Sequence, residues 1–168
     1  MNDLYKEIMV QPKTPVMNKI AKVVIIVLTV VCLLGGMMTL FFPMVIVGAG
    51  GIAACIFLLP KLEVEYEYLY VNGDLDIDAI YSKQKRKRIA EFPIEELEVI
   101  APENSHALDS YKNKKEIKLK DFTSGDPHKN AYIMVVNKEK GQEMAKVELD
   151  ESILNDMRRY APRKVNLF

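Results

Sequence analysis

The feature that most constrains this chain is a run of 38 residues, 23–60, that contains no charged side chain. A helix needs about 20 apolar residues to cross the hydrocarbon core of a bilayer. The rest of a 168-residue chain could not fold into a domain large enough to bury so long an apolar run. The sequence therefore predicts a membrane protein rather than a wholly soluble one.

A proline divides this run into two predicted spans. Pro43 has no amide hydrogen to donate, and it disfavours helix in the residue before it. Within a hairpin segment at 19–60, we expect one transmembrane helix over about residues 20–40 and a second over about residues 44–59. The turn between them is so short that the helices must be antiparallel, which leaves both chain ends on one side of the bilayer.

The flanking charges predict which side that is. Lys19, Lys22 and Lys61 flank the open end of the predicted hairpin, whereas the turn carries no charge. The positive-inside rule then places both termini in the cytoplasm of a multi-pass protein of the cell (plasma) membrane. Because neither span contains a charged residue, the sequence gives no sign of an ion path or proton relay.

Small residues in the two spans are candidates for helix packing. They are Gly35, Gly36, Gly48, Gly50, Gly51 and Ala54. Gly50 and Ala54 form a small-xxx-small pair, which lets two helix backbones approach closely. Two interpretations stay open, namely packing within the hairpin and an interface with another protein chain in the membrane.

The lead before the spans, residues 1–18, carries a weak helical pattern. Leu4, Tyr5, Ile8 and Met9 recur at helical spacing, which predicts a short amphipathic helix on the cytoplasmic leaflet. A frayed terminus is the alternative.

In the C-terminal part, residues 61–168, the hydrophobic period changes to two. Apolar residues alternate with mostly acidic ones from residue 64 to residue 70, and Asn72-Gly73 then favours a two-residue turn. Residues 62–82 are therefore predicted to form a β-hairpin. Further strands are predicted over residues 86–92, 97–101, 116–122, 131–137 and 143–149.

The chain ends in a predicted amphipathic helix. Asp150 is a suitable N-cap, Ile153, Leu154 and Met157 fall on one apolar stripe, and Pro162 ends the helix. The predicted fold class is an α+β membrane protein, in which a two-helix transmembrane hairpin precedes a mainly-β domain of about seven strands. The strands form a strongly bent sheet or a small barrel, whose open end a single terminal helix can cover.

The order of these segments resembles a known family. The hairpin is followed by Glu65-Tyr66-Glu67-Tyr68-Leu69-Tyr70-Val71-Asn72-Gly73-Asp74-Leu75, by Lys85-Arg86-Lys87-Arg88, by Phe92-Pro93-Ile94-Glu95-Glu96-Leu97 and by a closing Arg159-Tyr160-Ala161-Pro162-Arg163-Lys164. This resembles uncharacterised Gram-positive (Clostridia-type) membrane proteins with an N-terminal transmembrane hairpin and a bacterial pleckstrin-homology-like (PH-like) domain. The resemblance implies a seven-stranded, two-sheet PH-like barrel capped by a helix, and it implies no particular ligand.

A basic run is the best candidate for a binding site. Its members, the candidate contacts to lipid or another anion, are Lys83, Lys85, Arg86, Lys87 and Arg88. Residues 61–168 carry 19 basic and 21 acidic side chains, so the run is a local positive patch in a slightly acidic domain. On a strand, Arg86 and Arg88 share one face and Lys85 and Lys87 share the other. A solvated edge strand that lysines protect from unwanted pairing is the alternative.

Other charged and polar groups give no site. Asp74, Asp76 and Asp78 lie about 7 Å apart along a strand, too far to hold one ion, so we expect a solvated face or pairing with the basic strand. Ser105, His106 and Asp109 fall in a polar loop that lacks the rigid support and oxyanion site of a catalytic set. The sequence predicts no enzyme, no catalytic residue, no metal and no other cofactor. The equal numbers of basic and acidic residues, 23 each, argue against nucleic acid as a partner.

These observations predict a membrane-anchored, non-catalytic binding module that presents a PH-like domain at the inner leaflet. Its expected partners are the lipid bilayer and either anionic lipid headgroups or a protein segment. The alternative is a structural or assembly subunit that packs with other membrane proteins.

Overall fold

The structure is a computed structural model that describes residues 4–13, 15–112, 114, 117–139 and 141–167. Its elements are β1 (Tyr5–Val10), α1 (Val16–Thr39), α2 (Phe42–Leu62), β2 (Val64–Val71), β3 (Asp74–Tyr81), β4 (Lys85–Phe92), β5 (Leu97–Pro102), a 3₁₀ turn (His106–Leu108), α3 (Asp109–Lys112), β6 (Leu119–Asp121), β7 (Tyr132–Lys138), β8 (Gly141–Val147) and α4 (Glu151–Tyr160). The described residues divide into two compact units. The hairpin unit comprises residues 15–64 and 81–85, and the β unit comprises the rest.

Two apolar helices form most of the hairpin unit. By length and composition, both α1 and α2 can cross a membrane. At 24 and 21 residues they are about 36 Å and 31 Å long, against a hydrocarbon core of about 30 Å. The break between them comes at Leu40, which has a positive φ of 52°. Pro43 lies in the first turn of α2, where its missing amide hydrogen costs no helical bond.

Small residues allow the two helices to pack closely. A Cβ atom on Gly48 would lie 2.7 Å from the Leu33 side chain, and one on Gly51 would lie 2.5 Å from the Thr29 hydroxyl oxygen. A Cβ on Gly36 would lie 2.8 Å from Val45, and one on Gly35 would lie 3.1 Å from Met44. Gly50, by contrast, is exposed and a Cβ there would meet no atom within 4 Å. Ala54 is half-buried.

Two four-stranded sheets form the β unit. Their strand orders are β1-β2-β3-β4 and β5-β7-β8-β6, with α4 closing the chain. The Asn72-Gly73 turn joins β2 to β3, and both its residues have positive φ, 51° and 107°. The predicted strands at 86–92, 97–101, 131–137 and 143–149 are confirmed to within two residues at either end. Of the strand predicted at 116–122, only Leu119–Asp121 forms, and Glu116 lies outside the described residues.

The N-terminal lead differs from the prediction. Residues 5–10 form strand β1, which pairs antiparallel with β2 from Tyr5–Val71 to Val10–Tyr66, so the expected amphipathic helix was wrong. Val10 is only 1% exposed, and Leu4 and Ile8 pack against the same core. The burial and the backbone pairing available beside β2 outweigh a weak local helical pattern. The described chain therefore contains eight strands rather than about seven.

Helix α4 at the end of the chain has the amphipathic pattern predicted from the sequence. Ile153, Leu154 and Met157 are buried, and the Asp150 side chain accepts a hydrogen bond of 3.0 Å from the Ile153 amide. Lys6 of β1 forms an ion pair with Asp150, which ties the first strand to the start of the last helix. Burial would raise the pKa of Asp150, but the hydrogen bonds from Lys6, the Ile153 amide and Ser152 outweigh it and hold the pKa below its ordinary value.

Candidate functional site

The basic run begins in the tight turn between β3 and β4. Ser82 and Lys83 both have positive φ, 46° and 59°. The Ser82 amide donates a hydrogen bond of 3.0 Å to the carbonyl oxygen of Glu63, the residue that follows the last residue of α2. This turn is therefore held at the open end of the helical hairpin, where α1 begins and α2 ends.

A small charge cluster marks this end of the hairpin unit. The Lys22 ammonium donates a hydrogen bond of 2.6 Å to Glu63 Oε1. This hydrogen bond, helped by the charges of Lys22 and Lys83, lowers the pKa of the Glu63 carboxyl. The described residues of the hairpin unit contain five cationic side chains. They are called the basal lysines below and are Lys19, Lys22, Lys61, Lys83 and Lys85.

Arg86 and Arg88 are engaged with carboxylates of the neighbouring strands. Arg86 lies 2.5 Å from Asp78 Oδ2 and 2.7 Å from Glu67 Oε2. Arg88 lies 3.0 Å from Asp78 Oδ1 and 2.8 Å from Asp76 Oδ2. These five side chains are called the arginine network below. The expected pairing of the aspartate strand with the basic strand is thus confirmed for Asp76 and Asp78.

In the arginine network, two arginines stabilise the negative charges of carboxylates that are buried in the sheet. Asp78 is 5% exposed and Glu67 is 9% exposed. Burial would raise the pKa of Asp78, but the hydrogen bonds and charges of Arg86 and Arg88 outweigh it and keep the pKa below the ordinary value. The hydrogen bond to Asp78 likewise raises the pKa of each arginine. The two arginines therefore serve the sheet itself.

The lysines of the run are arranged differently. Lys85 and Lys87 are exposed, and no carboxylate of the described part of the chain lies within ion-pair distance of either. Lys83 is exposed too and acts on Glu63 through its charge. Within the described part of the chain, the structure thus divides the run into two half-exposed arginines that form ion pairs and three exposed lysines that form none.

Sequence reasoning missed the partners of this site. Glu63 and Glu67 were interpreted only as members of an acidic strand face, since nothing local indicates which cation each one meets. The strand alternation that separates Arg86 and Arg88 from the lysines was the one usable signal.

The polar loop at 105–109 has a structural role. His106 Nδ1 lies 3.1 Å from Asp109 Oδ2, and the His106 side chain is fully exposed. The Ser105 hydroxyl oxygen accepts a hydrogen bond of 3.3 Å from the Ala107 amide, which caps the 3₁₀ turn. Among the described residues, no group of three or more His, Cys, Asp or Glu side chains is placed to hold a metal ion.

A comparison with protein families identifies the fold. A family model described as Bacterial PH-like domain (DUF6106) matches residues 2–167. The chain belongs to this bacterial PH-like family. The match covers both apolar helices as well as the two sheets, so the PH-like fold expected from the sequence is confirmed. No curated protein and no solved structure gives a significant match. PH-like domains are generally non-catalytic binding modules.

Proposed function

We propose that this PH-like protein is a membrane-anchored, non-catalytic binding module. In this proposal α1 and α2 cross the cell membrane as a hairpin, both termini lie in the cytoplasm, and the β unit is held at the inner leaflet. The observation that carries it is the distribution of charge in the hairpin unit. The outward side chains of the helices are apolar, whereas the basal lysines and Glu63 lie at the open end. This is the distribution that the positive-inside rule describes.

The same arrangement supports contact with anionic lipid headgroups. When the helices span the bilayer, their charged end lies at the level of the cytoplasmic headgroups, where each lysine contributes about 1 kcal/mol of attraction. The covalent attachment supplies a high effective concentration, so weak contacts suffice. We assign this contact to Lys83, Lys85 and Lys87, and we assign Arg86 and Arg88 to the arginine network.

The topology is tested by labelling in intact cells. With Cys32 and Cys55 replaced by alanine, a cysteine introduced at the exposed Lys118 is expected to resist a membrane-impermeant maleimide until the membrane is permeabilised. A cysteine introduced at Phe41, between the helices, is expected to react in intact cells and serves as the matched control. Labelling of K118C in intact cells would overturn the cytoplasmic placement of the β unit.

The lipid contact is tested by the preference of the full chain for anionic lipid. Electron paramagnetic resonance of spin-labelled phosphatidylglycerol and phosphatidylcholine gives their relative association with the protein in reconstituted membranes. We expect the preference for phosphatidylglycerol to fall by about threefold or more in the triple variant K83Q/K85Q/K87Q and to fall in the wild type when salt is raised.

The control for this experiment is a second triple variant, K112Q/K118Q/K164Q, which removes the same charge from the β unit outside the basic run. It is expected to keep the wild-type preference. An equal loss in both variants would show that net charge alone sets the preference, and an unchanged preference in the first variant would remove the basic run as the lipid contact.

The assembly-subunit function and the Gram-positive origin stay predictions. Gly50 favours the former, because this exposed position has open space around its Cα on the helix surface. A stable partner retained in mild detergent by the wild type and lost on Gly50→Leu would support it.

A further inference from the structure

A second polar site lies in the β unit and includes no residue of the basic run. It is a cleft of about 510 Å³ between the end of β5, the 123–132 loop and β8, with Leu167 from the C-terminal tail in its wall. This volume lies within the range of pockets that take small ligands or single side chains, about 300–1,000 Å³.

A buried carboxylate lies in this cleft. Glu148 is 7% exposed, and its Oε1 accepts two hydrogen bonds of 2.7 Å, from the amide and the hydroxyl of Ser124. Its Oε2 accepts no hydrogen bond from any residue that the structure describes. A buried carboxylate oxygen normally has a donor, so this atom has acceptor capacity that the described chain does not use.

Lys129 balances the charge of Glu148 without completing its hydrogen bonds. The Lys129 ammonium nitrogen lies 3.3 Å from Glu148 Oε2, outside hydrogen-bonding geometry, and its side chain is 51% exposed. A flexible, half-exposed lysine is easily displaced, because its ammonium regains full hydration in water.

The remaining charges of the cleft favour a cation. Its lining contains the carboxylates of Glu103, Asp126 and Glu148 and the ammonium groups of Lys129 and Lys146. Lys146 and Glu103 pair with each other at 2.8 Å. If Lys129 moves out, the carboxylates of Asp126 and Glu148 are left without a cation. The cleft then attracts a positively charged group.

We propose that this cleft binds the guanidinium of an arginine side chain in a partner protein, which takes the place of Lys129 at Glu148 Oε2. A guanidinium carries five N–H donors in one plane and matches a carboxylate with two parallel hydrogen bonds. Asn104 and Asn130 line the same cleft and carry further side-chain acceptors. The proposal rests on the binding-module function and deepens it by naming the chemistry of a protein partner.

The test titrates the full chain with a peptide in nanodiscs of zwitterionic phosphatidylcholine. The probe is acetyl-Gly-Gly-Arg-Gly-Gly-amide, and its control has citrulline, a neutral side chain of nearly the same shape, in place of arginine. Calorimetry is expected to show saturable binding of the arginine peptide and at least tenfold weaker binding of the citrulline peptide.

Two variants with opposite expected effects locate the binding. Glu148→Gln keeps a carbonyl acceptor for Ser124 but loses the charge, and we expect at least a tenfold loss of affinity. Lys129→Ala frees Glu148 Oε2, and we expect a gain of about threefold or more. Glu139→Gln removes an exposed acid that does not line the cleft, and it is expected to leave the affinity unchanged.

Several outcomes would overturn this proposal. They are equal affinity for the arginine and citrulline peptides, no binding of either, and no change in both the Glu148 and the Lys129 variants. If Glu148→Gln does not fold, the exposed Lys129→Ala variant decides the question. Because the peptide is soluble and the discs are uncharged, failure here leaves the lipid contact standing, whereas loss of lipid preference leaves the cleft standing.

Discussion

Deletion of residues 1–13 is expected to unfold most of the β unit at temperatures where the full chain stays folded. Strand β1 contributes the fully buried Val10, the packed side chains of Leu4 and Ile8 and a backbone ladder with β2. Fully burying one such side chain stabilises a protein by about 1.5–3 kcal/mol, and Leu4 and Ile8 are half-buried, so the expected loss is about 3–6 kcal/mol, against a total stability of about 5–15 kcal/mol. Near-ultraviolet circular dichroism during thermal unfolding in detergent measures this loss.

Point variants separate strand packing from the effect of a shortened chain. Val10→Ala is expected to lower the free energy of unfolding by about 2 kcal/mol, because it removes buried methyl groups and leaves a cavity. Val71→Ala changes a side chain of β2 that is 45% exposed, and it is expected to cost at most about 0.5 kcal/mol. Equal losses of unfolding free energy in the two variants would contradict the burial of the Val10 side chain in the core.

Asp78→Ala is expected to lower the free energy of unfolding by about 3 kcal/mol at pH 7. Breaking a buried ion pair costs about 3–5 kcal/mol, and the cost is reduced here because Arg86 and Arg88 are about half exposed to solvent. Urea denaturation of the β unit in the full chain measures the change. Glu91→Gln, which removes an exposed carboxylate 3.7 Å from Arg88, is the matched control and is expected to cost less than about 0.5 kcal/mol.

The effect of Asp78→Ala also depends on pH, with a definite sign. The pKa of Asp78 is lower in the folded state than its ordinary value. The carboxylate therefore stabilises the fold above the unfolded pKa of about 3.9, and this stabilisation is lost as the pH falls through the folded pKa. The difference between wild type and variant should be largest near neutral pH and should shrink in acid. A difference that grows below pH 4 would assign the stabilisation to another group.

Local sequence patterns were sufficient to predict the elements in which apolar residues repeat regularly or a turn or cap residue marks the boundary. The charge-free run predicted two apolar helices, strict alternation and the Asn72-Gly73 turn predicted β2 and β3, and Asp150 predicted the start of α4. Strand β1 was not predictable in the same way. Its six residues fit both a helical and an alternating pattern, and its partner β2 lies beyond both helices in the chain.

The candidate sites were predictable only in part, because each depends on contacts between distant residues. Alternation within β4 separated the arginines from the lysines, but Glu67 enters the arginine network from another strand. The cleft at Glu148 had no local signal at all. Ser124, Lys129 and Glu148 meet there through the fold of a long loop against β8.

The insertion of the helical hairpin between β1 and β2 has a consequence for shedding by proteases. The β unit is connected to the helices by two separate covalent links, one through residues 11–15 and one at Glu63. A single cut in the first link leaves the β unit attached through α2, and a single cut at the second leaves it held by the β1–β2 strand pairing. Liberation of the β unit as an independent body therefore requires both links to be severed, or a cut at the second link followed by dissociation of β1 from β2.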